Sequence, residues 1–110
     1  MERAVAILQA RAPDAESPFT SPERWALGAL YEAYFALAWT TAARLLVSHA
    51  EVEDVVEDVF VRLPTTIRRY RPGNFAGWLR QVVQGAALMR LRAASRQRED
   101  ALDGVLAFVA

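Results

Sequence analysis

The chain reads as an all-α protein, a compact bundle of three main helices with a short helix ahead of them. Three observations predict this. Apolar residues recur at i, i+3 and i+4 over long stretches, no segment alternates apolar with polar residues as a half-buried strand does, and no hairpin signal or internal repeat occurs. One hundred and ten residues, 54% apolar and 24% charged, suit a single domain with a single core. With no cysteine, disulfide frameworks, thiolate zinc sites and cysteine nucleophiles are excluded. No apolar run approaches the roughly 20 residues of a membrane helix, and Ala4 to Leu8 is too short for a signal-peptide core of about 7–15 residues, so a cytoplasmic protein is expected.

In chain order, residues 2–12 form a short opening helical segment. Pro13-Asp14-Ala15-Glu16-Ser17-Pro18 begins a loop that continues to Ser21-Pro22, closing a leading unit at residues 1–22. Ser21 is the expected N-cap of the next helix, with Pro22 at its first position and Glu23 near the positive end of the dipole. Leu27, Leu30, Tyr31, Tyr34, Phe35, Ala38, Ala42, Leu45 and Leu46 then fall at helical spacing, predicting a helix over residues 23–47 about 38 Å long. His49, the single histidine, is expected to cap the C-terminal end of that helix.

The next segment carries five valines, which propensity alone would assign to a strand. Its period says otherwise: Val52, Val55, Val56, Val59, Phe60 and Leu63 fit one helix face, and Asp54, Glu57, Asp58 and Val61 fit the opposite one. Pro64 is expected to end or kink the helix near Leu63, with one loose turn over residues 65–69. Tyr70-Arg71-Pro72-Gly73-Asn74-Phe75 is the clearest loop: Pro72-Gly73 suits the centre of a type II turn, and Asn74 is the expected N-cap of the last helix. That helix spans residues 75–98, with Phe75, Trp78, Leu79, Val82, Val83 and Ala86 inward. The main helical domain is thus expected at residues 23–100. Residues 101–110, apolar at Leu102, Val105, Leu106, Phe108 and Val109, read as the start of a linker or a tail docked on the body.

Thirteen basic and thirteen acidic side chains cancel formally, yet they are separated along the chain. Residues 51–58 hold five acids and no base, while residues 59–98 hold nine arginines and no acid. Arginine in place of every lysine could reflect genome composition, but that does not account for forty residues without a carboxylate. Such blocks suit two partners of opposite charge. No Gly-rich phosphate loop, paired histidines or Gly-x-Ser-x-Gly occurs, and the 51–58 acids lack the glycine hinge of a calcium loop, so neither an enzyme, a metal site nor a cofactor is expected.

What remains is an acidic helix face (Glu53, Asp54, Glu57, Asp58, Val61), the aromatic-arginine loop, and then Gly77-Trp78-Leu79-Arg80 opening an arginine-bearing helix. In that order and spacing the chain resembles region 2 of bacterial sigma factors of the extracytoplasmic-function group. Members carry Ala-Glu-Asp-x-x-Gln-x-x-Phe-x-x-Leu, then an aromatic loop, then Trp-Leu and a basic helix. Leu30-Tyr31-Glu32-Ala33-Tyr34 is similar to the Leu-Tyr-x-x-Tyr that opens the region, so the resemblance runs over residues 4–98. It implies a helical module that binds core RNA polymerase through one surface and the promoter −10 element through another. Glu53, Asp54 and Glu57 would face the clamp helices of the polymerase's largest subunit. The residues agree independently, since Asp54, Glu57 and Asp58 beside Val61 suit a basic helical hairpin.

By the same resemblance the loop would receive a −10 base flipped from the non-template strand. Tyr70, Arg71, Gly73, Asn74 and Phe75 offer planes, amides and backbone for it, and Arg68, Arg69, Arg71 and Arg80 would hold phosphates. Trp78 reads equally as an inward core residue or as one exposed at the strand junction. The promoter-reading helix would continue through Arg92 and Arg96, where Gly85 and Met89 replace the family's asparagine and aspartate and remove hydrogen-bonding groups. Val52, Glu57 and Pro64 are further departures. Those at 85 and 89 favour a second reading, a sigma mimic that binds an anti-sigma factor without reading DNA. A third reading is a helical interaction domain unrelated to transcription.

Overall fold

The computed structural model describes residues 1–11 and 17–109, the side chain of Val109 excepted. The Pro13-Asp14-Ala15-Glu16 part of the expected loop lies outside the described residues. Among the described residues four helices succeed one another, α1 (Glu2–Gln9), α2 (Ser21–Ala43), α3 (His49–Thr66) and α4 (Phe75–Val109), with a 3-10 turn at Ile67–Arg69 after α3. No strand occurs among the described residues. The fold is all-α, as expected.

α1 buries Ala4, Val5 and Leu8 against α2. The cap of α2 is Thr20, one residue before the expected Ser21. Its hydroxyl accepts from the Glu23 N–H at 3.3 Å, and the Glu23 carboxylate accepts from the Thr20 N–H at 2.8 Å. This reciprocal box needs an acid three residues after the cap, which Thr20 has in Glu23. α2 ends at Ala43, short of the expected residue 47, because the Leu45 and Leu46 N–H groups both turn back onto the Ala42 carbonyl. That tightening carries Leu46 into the core and leaves Val47 fully exposed. Of the expected inward face, Leu30, Ala38, Ala42 and Leu46 are buried and Leu27, Tyr34, Phe35 and Leu45 half-buried, while Tyr31 is exposed.

α3 starts from Ser48, whose hydroxyl accepts from the Glu51 N–H. All six residues assigned to its inner face, Val52, Val55, Val56, Val59, Phe60 and Leu63, are buried. The helix does not stop near Leu63: it runs through Pro64 to Thr66. Proline there gives up one backbone hydrogen bond, but continuing the helix brings Ile67, wholly buried, onto the core directly after Leu63.

α4 likewise exceeds its expected end at residue 98 and continues as one helix to Val109, about 52 Å of helix for 35 residues. Nothing after Arg98 breaks a helix except Gly104, and one glycine costs only about 1 kcal/mol. The 101–109 segment therefore extends away from the bundle, with Leu102, Val105, Leu106 and Phe108 exposed, and does not dock on the body. The long axis of the molecule is 61 Å against 30 and 23 Å for the others.

α2 packs on α1, α3 and α4, and α3 packs on α4. Four alanines, Ala26, Ala38, Ala42 and Ala87, are wholly buried in this core, and small side chains let helix axes approach closely.

Candidate functional site

Glu53, Asp54, Glu57, Asp58 and Val61 all lie exposed along the outer face of α3, Val61 at 76%. Asp54, Glu57, Asp58 and Val61 line an open groove of about 580 Å³ whose other wall is Ala86, Met89 and Arg90 of α4. Asp54 is paired across it with Arg90 at 3.0 Å, and Asp58 is paired with Arg62 one turn on at 2.9 Å. The acidic and basic blocks of the sequence therefore meet at Asp54–Arg90. Both partners of that pair remain about half exposed, and such pairs contribute only about 0–1 kcal/mol, so the acids stay available to a competing cation. Glu57 makes no ion pair among the described residues.

His49 does not cap α2. It is the first residue of α3, with its ring 4.9 Å from Trp39 and Nε2 4.0 Å from Glu53, and its side chain is 79% exposed. Because α2 ends early, the histidine falls in the next helix.

The loop after the 3-10 turn is held from three sides. The Tyr70 hydroxyl accepts from the Gly73 N–H at 3.1 Å. Gly73 sits at φ +152°, a conformation L side chains rarely adopt. The Asn74 side-chain oxygen accepts from the Gly77 N–H at 2.9 Å, the capping role expected of it. A Cβ on Gly77 would stand 2.7 Å from the Asn74 amide nitrogen, so this close seat depends on glycine. Asn74 thus keeps its amide N–H groups available to a ligand, while its oxygen already accepts one hydrogen bond from the helix.

Phe75 is 8% exposed and turns its ring inward, 4.9 Å from Tyr34 and 5.3 Å from Tyr70. Trp78 is half-buried, with ring centroids 5.5 Å from Tyr70 and 5.6 Å from Phe75. The aromatic cluster supports the loop from beneath, with Tyr34, Tyr70 and Trp78 half-buried around the buried Phe75. Arg68, Arg69, Arg71, Arg80 and Arg92 are all exposed, as phosphate contacts require. They are spread out: Arg80 lines a groove with Arg44 and Gln84 between α2 and α4, and Arg92 lies beside Met89 and Arg96 farther along α4.

Sequence reasoning missed α1 as a neighbour of this loop. The Gln9 side-chain amide donates to the backbone carbonyls of Ile67 and Tyr70, both at 3.0 Å. α1 is in turn held to α2 by Arg11, which donates to both Glu23 oxygens at 3.0 and 2.9 Å, donates to the Ser17 carbonyl, and lies over the Phe19 ring. The Thr20 N–H and the Arg11 guanidinium hold the Glu23 carboxyl below its ordinary value, against an opposing effect of burial. No local signal marks Gln9, because its partners lie about sixty residues away. Among the described residues no cluster of acids or histidines is arranged to hold a metal, and no helix is long and apolar enough to cross a membrane.

Comparison with known proteins agrees with these elements. The family model described as Sigma-70 region 2 matches residues 30–97, more than half of the chain. The chain is 33% identical over 61 residues to the ECF RNA polymerase sigma factor SigE of Mycolicibacterium smegmatis, a match covering 56% of this chain and 24% of that relative. The chain thus spans about a quarter of the relative's length. No solved structure matches.

Proposed function

The chain belongs to the sigma-70 region 2 family, and on that premise we propose that it binds core RNA polymerase through the acidic face of α3 and the single-stranded −10 element of a promoter through the loop at residues 70–74. The observation that carries the reading is the order of that loop. Gly73, the Tyr70 hydroxyl and the Asn74 cap fix its backbone, so a base entering it meets a formed receptor and little conformational freedom is lost on binding. Tyr70 and the Arg71 guanidinium supply planes for stacking, while Asn74 amide and backbone N–H groups suit a base edge. Arg68, Arg69 and Arg71, exposed and next to the loop in sequence, suit phosphates of the same strand. Arg80 and Arg92, on α4, suit the duplex upstream. Phe75 and Trp78 act beneath the loop as its support.

On α3, Asp54, Glu57 and Asp58 around an exposed Val61 suit a partner that is basic with an apolar centre. Glu53, one residue before Asp54, extends the same charge. The clamp helices of the polymerase's largest subunit are the partner in this reading, and Arg90 releases Asp54 when a competing cation arrives. The role is one of binding and strand capture; melting results from holding the flipped base on the single-stranded side.

The test compares wild-type protein on labelled non-template and template −10 oligonucleotides at low salt, alongside capture of core polymerase. The reading expects preference for the non-template strand and retention of polymerase; equal binding of both strands removes the DNA half. A specific observation favours the second reading, in which the partner is an anti-sigma factor and DNA is not read. Gly85 is exposed without a side chain and Met89 is 68% exposed, so α4 offers an apolar surface where the family has polar groups. Polymerase capture and strand preference both absent, with anti-sigma binding retained, would establish it.

A further inference from the structure

We propose that the projecting part of α4 is a self-association surface, on which a second copy of this chain lays its own α4 antiparallel. The inference does not rest on the reading of the loop or of α3. Beyond Ala87, the last buried residue among those described, α4 carries Leu88, Leu91, Leu102 and Val105, all exposed. With Ser95 and Arg98 between them, these residues recur at alternating intervals of three and four, the a and d positions of a seam that joins two helices. From Leu102 onward the helix stands clear of the body, so its own chain does not cover this part of the seam. The helix is already formed where it leaves the bundle, and association has no helix to nucleate.

The order of the residues selects both the occupant and its direction. An antiparallel pairing that sets Leu91 against Leu102 of the second copy also sets Leu88 against Val105 and Ser95 against Arg98, and two-fold symmetry repeats all three. Apolar residues then meet at both ends, and the one charged seam residue meets a hydroxyl in the middle. In an antiparallel pair each edge of the seam also faces the same edge of its partner. One edge holds Arg92 and Glu99, so Arg92 of each copy meets Glu99 of the other. Neither residue makes an ion pair among the described residues of its own chain. Leu106, on that edge, falls on Gly85, where an added Cβ would meet nothing within 4 Å. The opposite edge holds Ala94 and Ala101, small enough for the two axes to come close. A parallel pair in register stacks Arg98 on Arg98 and turns Arg92 toward the alanine edge, so the charges complement one another in one direction only. The seam from Leu88 to Val105 is about 27 Å of helix. Such a contact is well short of the roughly 800 Å² per partner of a standard interface, so the pair is reversible, with a Kd on the order of 10–100 µM.

The test is sedimentation equilibrium of the 110-residue chain over concentrations from about 5 µM to about 1 mM, which span that Kd. Wild type is expected to pass from monomer to dimer with no larger species. Leu102→Glu, at an exposed position, should weaken the dimer by about tenfold or more and leave the thermal melt unchanged. Arg92→Glu and Glu99→Arg should each weaken it by about threefold or more, and both exchanges in one chain should restore it. Because the chain has no cysteine, introduced cysteines report direction. Leu91→Cys mixed with Leu102→Cys should cross-link between the two variants on mild oxidation, in preference to either with itself. A monomer across the whole range leaves the seam to a different protein and overturns the proposal. A dimer indifferent to Leu102→Glu, or one that the double exchange does not restore, overturns the surface and its register. Cross-linking of each cysteine variant mainly with itself overturns the antiparallel direction.

Discussion

Replacing Asp54 with arginine separates the stability of α3 from what its outer face binds. Asp54 meets Arg90 at 3.0 Å with side chains 56% and 42% exposed. An exposed pair contributes about 0.2–1 kcal/mol, and repulsion between the introduced guanidinium and Arg90 adds a similar amount, so the fold loses less than about 2 kcal/mol. Binding suffers far more, because a cation set against a basic partner costs several kcal/mol at an interface, roughly 100-fold or more in Kd. Interferometry against immobilised core polymerase reads the second quantity and a thermal melt reads the first. Arg90→Ala is the decisive companion. It removes the same ion pair but leaves the acid, and binding is expected to hold or tighten because Asp54 no longer has an internal partner. The reasoning is refuted if Asp54→Arg binds within about threefold of wild type. It is equally refuted if Arg90→Ala weakens binding as much, for then the intramolecular pair and not the acidic face is what matters.

The same structure sets three other outcomes. Arg68→Ala and Arg71→Ala should each weaken single-stranded DNA binding and reduce the slope of log affinity against log salt by about 0.7, read by anisotropy over a salt series. Glu23 titrates below its ordinary value in the folded protein, so its contribution is complete above the unfolded-state value and is lost as pH falls through the folded one. The melting temperature should therefore decline on acidification below the ordinary glutamate value of 4.5, and Glu23→Gln should flatten that part of the profile. Gly85→Ala should raise stability by up to about 1 kcal/mol, since a Cβ there meets nothing within 4 Å; a melt should rise by about 4–8 °C for the full amount.

The legible parts of this fold are those fixed by local periodicity. α3 is the clearest case: its valines favour a strand by propensity, yet the spacing of six apolar residues identifies every buried position of the helix. Helix ends are less legible because they depend on what lies beyond them. Pro64 stands inside α3 because Leu63 and Ile67 are both wholly buried on either side of it, a tertiary gain that a proline rule does not weigh. α4 runs on past Arg98 because nothing in the succeeding residues stops it. The acidic ridge and the loop are visible as patterns in sequence. Two contacts that qualify them, Arg90 on Asp54 and Gln9 on the loop, join residues 36 and about 60 positions apart and have no local signature. Aromatic composition alone also does not separate Tyr70, which is half-buried, from Phe75, which is buried in the core.

The four wholly buried alanines have a consequence for how this domain tolerates change. From any alanine codon, every single-nucleotide replacement other than glycine installs a larger side chain. At Ala26, Ala38, Ala42 and Ala87 the commonest missense errors therefore act as wedges that force helices apart. Hereditary drift at these sites is confined more narrowly than their modest chemistry suggests, since overpacking a close helix contact costs about 1–3 kcal/mol.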